Sequence, residues 1–191
     1  MRNRNSLYHN SAPKVPGDRK MAMRTIPVLL IPFLTVVAVS DENDSRIKEL
    51  NKYWQEVSRS VGEGDFESYA ASCHPDGILV AGTSNRTQPL SVALARWKQG
   101  FADTKSGRIK ASVEFRFSKR IGNATSAHET GMFLYMTVDA DGKETRHYIH
   151  MEGLLTKKKG RWVMLMEYQK SNGTKEEWDA LSKLTKTPHN N

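Results

Sequence analysis

Ile109 to Ser118 reads IKASVEFRFS, the clearest two-residue alternation in the chain. Ile109, Ala111, Val113, Phe115 and Phe117 take every second position, with Lys110, Ser112, Glu114, Arg116 and Ser118 between them. Successive strand side chains point to opposite faces, so a period of two predicts a strand with one buried and one wetted face. The pattern continues downstream. Ala127 to Val138 is apolar on both faces around Met132 to Met136, Asp139-Ala140-Asp141-Gly142 supplies hairpin-turn chemistry, and Thr145 to Lys157 returns. Lys158-Lys159-Gly160 turns the chain again and Trp162 to Lys170 is the last strand, with Met164, Met166 and Tyr168 alternating with Val163 and Leu165. A strand apolar on both faces needs both covered, and a second copy of the chain is the natural cover for the outer one.

Upstream the period becomes helical. Ile47, Leu50, Trp54, Val57 and Val61 fall at spacings of three and four, predicting a helix over 45–61 with Ser45 as N-cap and Gly62 and Gly64 as its stop. A short helix capped by Asp65 follows to Cys73, then a turn at His74-Pro75-Asp76-Gly77 and a short strand at Ile78 to Ala81. Residues 88–102 predict a third helix, with Leu90, Ala93, Leu94, Trp97 and Phe101 on one stripe, and Lys175 to Leu184 a last, polar one. Helices first and strands after define an α+β domain, a curved antiparallel sheet carrying three N-terminal helices on one face.

The chain has 191 residues and a net charge of +8, enough for one ordinary domain. Residues 1–40 hold six basic residues against one acid, so +5 of that charge lies there and +3 remains for 41–191. Nucleic acid is therefore not an expected partner; the basic turn Lys157-Lys158-Lys159 with Arg161 reads as a solvated hairpin tip, without the interleaved aromatics of a base-stacking platform. Ile26 to Val39 is uncharged, sits behind Arg24 and ends in Ala38-Val39-Ser40. It is too short for a stable membrane span, which takes roughly 20 residues, and matches an export leader cleaved near Ser40. Translation starts at Met1, Met21 or Met23. The expected division is a leader over 1–40, one domain over 41–173 and a polar helix and tail over 174–191. Cys73 is the only cysteine, so no intramolecular disulfide forms, and its neighbour His74 is badly placed to activate it. Asn43, Asn85, Asn123 and Asn172 head glycosylation sequons that matter only in a glycosylating pathway.

The order of elements resembles the nuclear transport factor 2-like superfamily, which includes SnoaL-like cyclases and ketosteroid isomerases. The resemblance rests on Gly64-Asp65, Tyr69, His74 to Val80, Trp97, Ala127-x-Glu129-x-Gly131-x-Phe133 and Gly160-Arg161-Trp162-Val163 with Glu167, and spans about residues 45–171. It implies a cone whose bent sheet wraps the helices around an apolar cavity, and homodimers formed through the outer sheet face. It also implies that the isomerases' catalytic tyrosine and aspartate fall at Val57 and Ala81, neither of which moves a proton.

Other acid/base groups are available on the strands. Glu167 is expected to share a face with Val163 and Leu165, and Glu129 with Phe133 and Tyr135, so each is a carboxylate in an apolar row and a candidate base. Tyr148, His150 and Glu152 share a face and form, with Trp54, Trp97 and Phe101, the candidate ligand-binding set. His147 points away from His150 and Glu152, which removes the third ligand of a metal site, and no cofactor is called for. Three readings follow: an exported dimeric cone that binds a small, partly hydrophobic molecule; a SnoaL-like isomerase, cyclase or hydratase using Glu129 or Glu167; and a non-enzymatic dimerisation module.

Overall fold

The computed structural model describes residues 36–185, with side chains over 42–181. The expected leader over 1–40, apart from 36–40, and the candidate translation starts thus lie outside the described residues. Helix α1 (Val36–Glu63) begins well before Ser45, which is an interior residue and caps nothing. Leu50, Trp54, Val57 and Val61 form its buried stripe. It ends at Gly64, whose φ of 67° favours glycine and whose position, 2.4 Å from the backbone of Phe101 and Lys105 if a Cβ were added, leaves no room for a side chain. Helix α2 (Phe66–Ala71) starts at Asp65, whose carboxylate accepts from the Ser68 backbone N–H at 3.2 Å and from Arg59 at 2.7 Å.

Strand β1 (Cys73–Ala81) is longer than expected because the His74–Gly77 turn residues form a bulged extension of it. A 3₁₀ turn at Gly82–Ser84 leads into β2 (Arg86–Pro89), a strand the sequence did not announce, and into α3 (Leu90–Lys105). Four long strands follow: β3 (Lys110–Gly122), β4 (Ser126–Val138), β5 (Glu144–Lys158) and β6 (Arg161–Asn172). The sheet order is β2-β1-β6-β5-β4-β3, and β1 runs parallel to β6, so the sheet is mixed instead of wholly antiparallel.

Three ladder irregularities, at Ser118 in β3, Leu165 in β6 and Lys170 in β6, bend the strands. At the first of them β3 comes so close to β4 that a Cβ on Gly131 would lie 2.0 Å from the Arg116 carbonyl. The curled sheet wraps α1, α2 and α3, and Leu50, Trp54, Leu79, Leu90, Met151, Leu155 and Met164 meet in the core between them.

Helix α4 (Lys175–Thr185) packs on the outer face. Trp178, only 3% exposed, lies against Tyr148 with the Arg116 guanidinium 4.0 Å over its ring, and Arg116 donates to its carbonyl at 2.6 Å. No described helix is long and apolar enough to cross a membrane.

Candidate functional site

Inside the cone lies a cavity of about 590 Å³. Its floor and walls follow from strand parity: Phe133 and Tyr135 of β4, His147, Ile149 and Met151 of β5 and Met164, Glu167 and Gln169 of β6 line it, closed from above by Trp54, Trp97 and Phe101. Val57 and Ala81, which stand where the resemblance would have wanted a tyrosine and an aspartate, also line it and offer only hydrocarbon.

Glu167 reaches the cavity by a route the period of two hides. Leu165 is an extra residue in β6, so Leu155 pairs with Met164 while Leu154 pairs with Met166. The bulge inverts the alternation, and Glu167 joins Met164 on the inner face instead of following Val163 and Leu165. Its Oε1 accepts from Gln169 Nε2 at 2.6 Å, and among the described residues no donor reaches Oε2. Burial pushes its carboxyl above the ordinary range, and the Gln169 hydrogen bond opposes this in part. The surrounding groups are weak acids made weaker: burial holds the hydroxyls of Tyr53 and Tyr69 well above their usual range and the Cys73 thiol at about 12, with Glu167 adding to each. Cys73 is thus a thiol with little thiolate character, unsuited to nucleophilic work.

Glu129 sits on the inner face with Phe133 and Tyr135, as parity predicts, but it does not line the cavity. It is 0% exposed, and its carboxylate accepts from Trp54 Nε1 and, at 2.5 Å, from Arg120 Nε. Both oxygens are engaged by donors, one from α1 and one from β3, and tie those elements to β4.

Tyr148, His150 and Glu152 are on one face, but it is the outer one, because His147, Ile149 and Met151 between them take the inner. Tyr148 packs against Trp178, His150 lies 3.2 Å from Glu177 of α4, and Glu152 holds Lys170 at 2.6 Å and His128 at 3.1 Å. Lys170 keeps the Glu152 carboxyl below its ordinary range. None of the three lines the cavity. Residues absent from the sequence-based set do: Tyr53, Tyr69, Arg96, His147 and Gln169 all line it. For Arg96 the signal was present, since it lies four residues before Gly100 and eight before Thr104 on one face of α3.

A curled sheet closed over an apolar chamber, with Glu167 the one carboxylate that lines it among the described residues, defines a cone-fold cavity protein. No family model and no curated relative matches the chain. Solved structures do. A function-unknown protein from Mycobacterium tuberculosis shares 15% identity over 70% of this chain and 75% of its own, with a TM-score of 0.56. A protein from Catenulispora acidiphila in complex with S-DNPA gives 19% identity over 65% and 91%, TM-score 0.51. An NTF-2-like protein of unknown function from Shewanella oneidensis MR-1 gives 14% identity over 64% and 97%, TM-score 0.51. The chain has the nuclear transport factor 2-like fold.

Proposed function

We propose that the protein is an exported, dimeric cone that binds a small, partly hydrophobic molecule in its cavity. The observation that carries this is the chamber itself: about 590 Å³ remains open although Trp54, Trp97 and Phe101 all point towards it. Natural cores leave few voids larger than a water molecule, and small-molecule sites run from about 300 to 1,000 Å³. The structural neighbour from Catenulispora acidiphila, solved with S-DNPA, supports the reading by analogy.

Dimerisation is inferred from the outer face. Ile78, 48% exposed, pairs with Met166, and Met166 with Leu154, giving an apolar row across β1, β6 and β5, with Val80 and Tyr168 in the next row. Such a surface is one that a second copy covers. Export is inferred from the sequence over 24–40.

A second reading is favoured by Glu167, the one carboxylate that lines the cavity among the described residues: an acid/base enzyme in which Glu167 takes or holds a proton.

Gly100 gives the direct test of binding. It lines the cavity, and a Cβ there would meet nothing within 4 Å. Gly100→Leu places its Cβ in open space, takes up part of the chamber and replaces a mid-helix glycine, so it should raise helix stability by roughly 0.5–1 kcal/mol while lowering the fluorescence that N-phenyl-1-naphthylamine gives with the wild-type chain. Unchanged dye fluorescence in a folded Gly100→Leu variant would contradict binding in the chamber.

A further inference from the structure

The ionic groups of the cavity are separated by depth. Of its lining residues only Thr83, Ser84, Arg96 and His147 are exposed, and these form the rim. The rim therefore carries two hydroxyls, an imidazole and a guanidinium, and no carboxylate among the described residues. Arg96 pairs with no acid among the described residues, although Arg59, Arg108 and Arg116 all do. Gly100, one turn along α3, leaves open space beside it, and the His147 ring stacks on Tyr135 with centroids 6.5 Å apart.

The inner end has the opposite character. Glu167 faces Gly153 across the β5–β6 ladder, six residues along β5 from His147, which places the two backbone levels about 20 Å apart along the strand. The walls between are Phe133, Ile149, Met151 and Phe101. An anion carried inward would lose its hydration along these walls and meet Glu167 at the end. An anion held at the rim keeps its water and gains Arg96.

We infer that the cavity takes an elongate, largely apolar molecule with an anionic group at one end, held at the rim by Arg96 with His147 beside it, and a neutral hydroxyl or carbonyl at the other end, facing Glu167 and Gln169. This rests on the ligand-binding reading above and gives it a chemical class and an orientation. Glu167 and the rim then select together: Arg96 rewards the charged end, and Glu167 excludes a second charge.

Two dyes of similar aromatic bulk test it on the full chain, the anionic 8-anilinonaphthalene-1-sulfonate and the uncharged N-phenyl-1-naphthylamine, titrated by fluorescence. Gly100→Leu identifies the signal that comes from the chamber. Wild type should bind the sulfonate more tightly than the uncharged dye, by about fivefold for an ion pair at an exposed rim, and added salt should erode that preference. Arg96→Gln should remove the preference and leave the uncharged dye's affinity as it was. Lys98→Gln, which deletes an equal charge on the same helix at a residue that does not line the cavity, should leave the preference intact. Equal affinities for the two dyes, or equal effects of Arg96→Gln and Lys98→Gln, would overturn the inference while leaving cavity binding in place. Binding of neither dye would overturn the binding reading and the inference with it.

Discussion

Replacing Glu129 with glutamine should cost stability and leave binding alone. The carboxylate is fully buried between Trp54 Nε1 and Arg120 Nε, and Arg120 is otherwise held by Asn51 at 2.5 Å and by the Phe117 ring at 4.6 Å, with Nη2 unpartnered among the described residues. Glutamine keeps the shape but supplies one acceptor atom for two donors and leaves the guanidinium charge uncompensated. Removing one member of a buried ion pair typically costs 3–5 kcal/mol. The Arg120 side chain keeps 18% of its exposure and so some water, which lowers the expectation to about 2–3 kcal/mol. For a domain of this size that is a fall in Tm of about 10 °C. Urea denaturation followed by Trp fluorescence and by circular dichroism gives the free energy directly. Arg120→Met together with Glu129→Gln should recover at least half of the loss, because the stranded charge goes with its partner. A loss under about 1 kcal/mol, or a double variant as unstable as the summed singles, would show that Glu129 and Arg120 are not a coupled buried pair. So would loss of dye binding by folded Glu129→Gln, since Glu129 does not line the cavity.

Glu167→Gln should behave in the opposite sense. The folded state raises the Glu167 pKa, so its protonation favours folding below the unfolded value of about 4.5, and that advantage is lost as pH rises through the folded value. The variant should therefore match wild type in acid and exceed it in stability at neutral and higher pH; a pH-independent difference would count against a buried carboxyl. Under the enzyme reading the same variant also abolishes turnover. Trp178→Ala removes the anchor of α4, and hydrogen exchange should show α4 and the β3–β4 outer face opening while the cavity-lining strands stay protected. Uniform loss of protection would mean that α4 is part of the cooperative core. Met166→Glu places a charge in the outer apolar row and should yield a folded monomer in sedimentation velocity; a persisting dimer would place the interface elsewhere.

Much of the fold was legible because the relevant signals are local. The alternation over 109–118 and the three-four spacing of Leu50, Trp54, Val57 and Val61 each report a buried face without reference to the rest of the chain. What escaped depends on pairing. Parity groups Tyr148, His150 and Glu152 together but does not say whether their face is the inside, which is settled by the curl of the whole sheet. The extra residue at Leu165 shifts the side chains from Met166 to Gln169 to the other face, and nothing about a leucine among Val163, Met164 and Met166 announces it. The parallel pairing of β1 with β6 joins residues about 90 positions apart and leaves no local mark. Glu129 and Glu167 illustrate the limit: both are carboxylates in apolar rows, and only their neighbours in space separate a fixed ion pair from a cavity acid.

Native mass spectrometry of the protein purified from its own source tests the central claim most directly. The expected result is a dimer of chains beginning near Asp41, with one small-molecule mass per chain that is released on denaturation and carries an acidic group. Ligand-free chains, in preparations where Gly100→Leu and wild type also give the same dye signal, would contradict it.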